Sequence, residues 1–147
     1  MPNTTKNKAI TVKGTEVALF RTGRNDDDYI SLKDMAEYKN KTEARIVISN
    51  WMSTYYTLEY HAIWEQFYNP GFNRMGYQSV RNAEGRLIVS PKRWIEATNA
   101  IGIVSKAGRY GGGIFAHRDI AYEFATWLSA EFKFYLVKEK EELMRQS

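Results

Sequence analysis

Ser105-Lys106-Ala107-Gly108-Arg109-Tyr110-Gly111-Gly112-Gly113-Ile114-Phe115-Ala116 decides how the rest of the chain is read. Four glycines, two cations and a tyrosine lead into an apolar pair. Glycine loses more backbone entropy on folding than any other residue, so such a run does not serve a core. It offers instead a bare backbone whose N–H groups approach an anion closely, here beside Lys106 and Arg109. The stretch predicts a basic loop lying on the phosphate backbone of DNA. Tyr110 either hydrogen-bonds or packs on sugar there, or is a core side chain flanking the loop.

The charge around this loop supports that expectation. The whole chain of 147 residues carries +4. Residues 72–118 hold eight Lys/Arg (Arg74, Arg81, Arg86, Lys92, Arg93, Lys106, Arg109 and Arg118) against Glu84 and Glu96, and the remainder is slightly acidic. Local basicity is the footprint of a polyanionic partner, the alternative being a solvated basic surface. Hydrophobic residues make up 44% and aromatics 14%, enough for one domain with a sizeable core. Cysteine is absent, which excludes disulfides and thiolate metal sites and fits a reducing cytoplasm. No apolar run is long enough to span a membrane, and Met1 to Lys8 lacks the apolar core of a signal peptide.

In chain order, residues 1–8 read as a disordered polar tail and 9–147 as a single domain. Ile10-Thr11-Val12 and Val17 to Phe20 predict a hairpin turning at Lys13-Gly14-Thr15. Asp26-Asp27-Asp28 reads as a solvated loop rather than a metal site, because an oxygen site needs ligands converging from several positions. Ser31 caps a short helix to about Tyr38, with Leu32, Met35 and Ala36 inward. Lys39 to Thr42 breaks it. Ile48, Trp51, Met52 and Tyr55 then repeat at helical spacing, although Ile46-Val47-Ile48 is compatible with a strand. The opposite face carries Lys41, Arg45, Ser49 and Asn50. Helix, short break and helix is the helix-turn-helix pattern, which also recurs in folds that bind nothing.

Thr57 is expected to cap a helix from Leu58 to Tyr68 whose aromatic residues pack and whose His61 is a core residue. Tyr77 to Val80 reads as a strand, Asn82 to Gly85 as a turn and Leu87-Ile88-Val89 as β-compatible. Ser90-Pro91 starts a helix with Trp94, Thr98 and Ile101 on one face and Gly102 as its C-terminal cap. Lys92 and Arg93 in its first turn oppose the helix dipole, which points to a use elsewhere. Ile114-Phe115 forms a short strand after the loop. Two helices follow, the first with Ile120, Phe124, Trp127 and Leu128 recurring at helical spacing, the second from about Glu131. The charge alternation from Lys138 to Glu142 reads as a solvated helix face. This helix runs to Ser147 and is expected to lead to an adjoining domain.

The residues offer little to chemistry. No Lys-Ser or Lys-Thr pair follows the glycines, as a Walker A loop requires. The dinucleotide fingerprint needs strand before and helix after, whereas here a helix is expected before the loop and a strand after it. No nucleophile elbow occurs, and Glu84, Glu96 and Asp119 are too few for a metal-dependent nuclease. No metal or cofactor is expected. A basic glycine-rich hairpin beside a helix-turn-helix is a wing, which fixes position while the helix reads base edges.

Lys106 to Gly112, followed by Phe115-Ala116-His117-Arg118-Asp119-Ile120-Ala121-Tyr122-Glu123-Phe124-Ala125-Thr126-Trp127-Leu128-Ser129, resembles the C-terminal half of a KilA-N domain. Ser90 to Ile103 resembles the same domain, and Tyr29 to Ala36 and Ile48 to Met52 resemble its opening. The resemblance covers about residues 10–140. It implies DNA binding without enzymatic activity, in a phage, prophage or large DNA-virus protein, and kinship with the fungal APSES transcription-factor domain. Carried over by position, the wing is Lys106 to Ile114, with Lys106, Gly108, Arg109, Tyr110, Gly111, Gly112 and Gly113 at DNA. The helix-turn-helix is Ser31 to Thr54, with Lys41, Thr42, Arg45 and Asn50 at DNA. Lys92, Arg93 and Arg118 are candidate phosphate contacts.

The expectation is an α+β, winged helix-turn-helix-like domain with short hairpins packed against several helices. It would bind double-stranded DNA in a cytoplasmic, bacterial or infected-cell setting, with a second domain or a homodimer partner as candidate companions. The alternative is a protein-interaction module that uses the aromatic-rich surface at 55–77, with DNA binding incidental.

Overall fold

A computed structural model describes residues 6–21, 28–107 and 113–146. Its five described strands form one antiparallel sheet. β1 (Lys6–Val12) and β2 (Thr15–Arg21) pair as the expected hairpin, with Lys13 and Gly14 at φ of 50° and 81°. Positive φ at both central residues is the turn geometry whose twist matches the flanking strands. The first strand begins at Lys6, inside the segment expected as a tail. β3 (Asp28–Ser31) pairs with β2, and the hairpin of β4 (Ile103–Lys106) and β5 (Gly113–His117) adds to β3 in the order β1-β2-β3-β5-β4. A strand, not a helix, therefore leads into the glycine loop.

Seven described helices complete an α+β fold: α1 (Leu32–Lys39), α2 (Ala44–Met52), α3 (Tyr55–Tyr68), α4 (Arg74–Arg81), α5 (Pro91–Thr98), α6 (Arg118–Leu128) and α7 (Ala130–Gln146). Ser31 ends β3 and caps α1, its hydroxyl accepting from Asp34 N at 3.1 Å. The Asp34 carboxylate accepts from Ala18 N at 2.9 Å, one residue beyond the described β2–β3 pairing. A side chain thus substitutes for the missing strand partner, as a buried backbone donor requires. Ile10, Val12, Val17, Leu19 and Ile30 face the main core with Leu32, Met35, Trp51, Phe124 and Phe132. Phe20, Tyr29 and Phe115 form a separate smaller cluster. Phe20 and Tyr29 stack at 5.3 Å.

Several local readings change. α3 is capped by Thr54, which accepts from Thr57 N at 3.2 Å, so the helix starts three residues earlier than expected and Tyr55 is its exposed first residue. Residues 77–80 lie in helix α4, not a strand. Asn73 caps it, accepting from Gly76 N at 3.0 Å, and a Cβ on Gly76 would sit 1.8 Å from Ala97 O. Only a glycine lets α4 lie this close to the end of α5, and that packing fixes the segment as helix. Residues 87–90 have no regular structure. The left-handed residue ending α5 is Asn99, at φ 58°, rather than Gly102, and Ile101 is exposed.

Two charges expected in water are buried. Lys140 on α7 pairs with Asp28, which also meets Arg21 at 3.0 Å. Asp28 and Lys140 are almost fully buried. The solvated-face reading of residues 138–142 therefore fails at Lys140, and the solvated-loop reading fails at Asp28. Burial leaves each charge dependent on the other.

Glu65 is held by several donors at once. It is fully buried and accepts from Gly102 N at 2.7 Å, from Ile101 N at 3.1 Å and from Asn69 Nδ2 at 2.8 Å. Asn69 Nδ2 also donates to Asn99 O at 2.9 Å. A Cβ on Gly102 would lie 2.4 Å from Ile120 Cδ1 and 2.9 Å from Glu65 Oε2, so a larger residue forces these side chains to shift.

His61 is the core histidine that was expected. It is fully buried between Trp51 and Trp94, with ring centroids 5.2 and 5.6 Å away. Its ring nitrogens have no hydrogen-bond partner among the described residues, and burial lowers its pKa to about 3.

Two predictions follow from these buried groups. Glu65→Ala leaves two backbone donors unpaired and should cost about 2–4 kcal/mol, while Gly102→Ala should cost about 1–3 kcal/mol by overpacking; urea denaturation measures both. For His61 the unfolded chain binds the proton more readily than the folded one. Stability is full above the unfolded pKa of 6.5 and falls as pH drops toward about 3. The loss is on the order of a few kcal/mol, and His61→Phe should flatten that limb of the stability profile measured in urea at each pH.

Candidate nucleic-acid interface

The turn between α1 and α2 is built by Asn40. Its Oδ1 accepts from Thr42 N at 3.0 Å, Glu43 N at 3.1 Å and Thr42 Oγ1 at 3.1 Å. This closes a side-chain turn and sets where α2 begins. Along α2, Ala44, Ile48, Trp51 and Met52 face inward, leaving Arg45, Ile46 and Asn50 exposed. The helix choice over the β-compatible Ile46-Val47-Ile48 holds because this spacing buries one stripe and not alternate residues.

Residues far away in sequence are tied to α2. Ser53 Oγ accepts from Val89 N at 2.8 Å, and the Ser49 and Ser53 hydroxyls donate to Val89 O at 3.4 and 3.3 Å. The next residue, Ser90, caps α5 by accepting from Arg93 N at 3.2 Å, with Pro91 at the first helical position. Lys92 is thereby carried to the start of α2.

The result is a groove of about 680 Å³ between α1, the α1–α2 turn, the start of α5 and the start of β5. Lys33, Lys41, Arg45 and Lys92 line it against a single carboxylate, Glu37, with Thr42, Gly113 and Ile114 completing the wall. Lys33 and Glu37 lie 3.8 Å apart, one helical turn from each other. The excess of cations on rigid helix starts makes the groove attractive to an anion, and such fields act over about a Debye length.

The expected contacts divide. Lys41, Thr42, Arg45, Lys92 and Gly113 meet in the groove. Asn50 is exposed farther along α2 and is not part of the groove lining. Arg93 donates from its guanidinium to Ile88 O at 2.8 Å, which steadies the segment before α5. Arg118 sits at the start of α6 with its Nε 3.6 Å from Asp119, in a separate hollow against α7. Lys106 ends β4 paired with Gly113, and its ammonium stands 4.5 Å from the Phe20 ring centroid and 5.9 Å from that of Phe115. Gly108, Arg109, Tyr110, Gly111 and Gly112 lie outside the described residues. Lys33 and Glu37 escaped the sequence reading, although their four-residue spacing opposite Leu32, Met35 and Ala36 marks them as one exposed face.

A family model described as the KilA-N domain matches residues 18–146, and the chain belongs to this family of DNA-binding domains. No curated protein and no solved structure matches it.

The position of Lys106 gives it a packing role that does not depend on any ligand. Lys106→Ala should lower stability by about 0.5–1 kcal/mol through the lost cation–π contact. An unchanged urea midpoint would show that the ammonium contributes nothing over Phe20.

Proposed function

We propose that this KilA-N domain binds double-stranded DNA through the groove at the start of α2 and α5. The carrying observation is that Lys41, Arg45 and Lys92, from segments some fifty residues apart, line one groove with Lys33. Phosphates of one strand pass along Lys33, Lys41 and Lys92, which sets the position of the domain without reading sequence. The α1–α2 pair acts as the helix-turn-helix. Arg45 and Asn50 on the exposed side of α2 reach base edges, Arg45 toward guanine and Asn50 toward adenine.

The β4–β5 hairpin acts as the wing, in line with its glycine-rich connection and basic flanks. Lys106, Arg109, Tyr110 and the backbone of Gly108 to Gly113 then follow the neighbouring phosphates. Because Lys106 also packs on Phe20, its contribution to binding is smaller than that of Arg109. Arg93 and Arg118 supply weaker, peripheral charge. The same reading makes the protein a non-enzymatic regulatory factor of phage, prophage or viral origin, acting inside the cell, alone, beside an adjoining domain or as a homodimer.

Fluorescence anisotropy with a random-sequence duplex tests this. Affinity should fall steeply with salt, and Lys92→Ala or Lys41→Ala should each weaken all duplexes alike and reduce the salt slope by about one. Asn50→Ala should instead alter the motif recovered by selection from a random duplex pool. Binding without salt dependence, or unaffected by the two lysine changes, rules the groove out.

A further inference from the structure

The outward side of α3 has a chemistry opposite to that of the groove. Tyr56, Ile63 and Phe67 are 68%, 62% and 79% exposed, at the spacing of one helix face. Exposed apolar residues of this size in a row are uncommon on a surface that meets only water. Beside them is a shallow hollow of about 270 Å³ lined by Tyr60, Ile63, Trp64, Phe67, Tyr68 and Asp119. Its aromatic wall is continuous: Tyr68 lies 4.8 Å from Trp64 and 4.8 Å from Phe67, centroid to centroid.

Carboxylates border this wall. Asp119 accepts from Trp64 Nε1 at 3.0 Å and is flanked by Arg118 at 3.6 Å. Glu123 accepts from the Tyr56 hydroxyl at 3.4 Å, and Glu59 is exposed on α3 between Tyr56 and Ile63. Among the described residues, no Lys or Arg lines the hollow. Burial, and after it the negative charges of Glu123 and Asp119, raise the pKa of Tyr60, so its hydroxyl stays a neutral donor. Negative charge beside the hollow repels phosphate and attracts cations.

We propose that this face of α3 is a docking site for a basic segment of a partner protein, with one Arg or Lys side chain seated against Trp64, Phe67 and Tyr68. A ring wall with carboxylates at its border is the chemistry that holds a guanidinium or ammonium, by cation–π attraction and by ion pairing at the edge. The apolar Ile63 and the ring of Phe67 take the methylene stem of the same side chain. The hollow and the groove share no lining residue.

The probe is the peptide acetyl-(Gly-Arg)3-Gly-amide, titrated into the DNA-free domain while the indole N–H of Trp64 is followed by NMR. The expected result is a saturable, salt-sensitive shift of that resonance, absent with the equivalent citrulline peptide. Phe67→Ser, at a largely exposed position, should weaken it at least threefold, with DNA affinity unchanged. Glu123→Gln should reduce its salt sensitivity. Equal shifts with arginine and citrulline peptides, no shift at Trp64, a shift unaffected by Phe67→Ser, or DNA binding weakened by Phe67→Ser would each overturn the proposal.

Discussion

A single buried carboxylate sets the arrangement on which the rest of this structure depends. Glu65 receives the backbone N–H groups of Ile101 and Gly102, the two residues that lead from the end of α5 into β4. The Gly102 donor lies inside the fold and the Ile101 donor is part-buried, with no strand or helix to accept them, and leaving the buried one unpaired would cost more than a net hydrogen bond returns. Asn69 extends the same network to Asn99 O, which closes the end of α5. His117 N donates to Gly102 O at 2.7 Å, so the end of β5 is attached to this segment as well. One acidic side chain on α3 therefore relates α5, β4, β5 and the start of α6 to one another.

The groove follows from that arrangement. Its cations come from α1, the α1–α2 turn, the first turn of α2 and the first turn of α5, while its wall includes the first residues of β5. None of these segments is a neighbour in sequence of all the others. Two serines of α2 hold Val89, Ser90 starts α5, and the Glu65 network fixes the far end of α5. Lys92 is thus carried on an element fastened at both ends. A cation presented this way loses less freedom on binding than one on a loose loop. Its position in the first turn is unfavourable to the helix dipole, a small local cost.

Much of the fold was legible in local patterns. Ser31, Ser90 and the inward spacing of Ile48, Trp51 and Met52 located three helices because capping and amphipathic periodicity are local properties. Gly14 located the first hairpin for the same kind of reason. Tyr77 to Val80 was misread because four residues of β-compatible composition carry no period, and the close approach of Gly76 to Ala97 is invisible along the chain. Lys140 was misread because charge alternation describes a solvated helix until a carboxylate from residue 28 appears beneath it. Glu65 carries no mark of its role along the chain, because its backbone partners lie 36 and 37 residues away.

The sequence by itself determined most of the elements, the basic middle third and the family, since each is written in adjacent or regularly spaced residues. It also marked Lys41, Thr42, Arg45 and Lys92 as candidates by their type and helix position. Only the tertiary structure decided that these four share a groove with Lys33, that Arg118 faces elsewhere and that Lys106 rests on Phe20. The physical reason is that convergence is set by long-range contacts. A buried carboxylate, a glycine whose place leaves no room for a Cβ against the Ala97 backbone and a pair of serines orient whole elements, and none of them has a local signature.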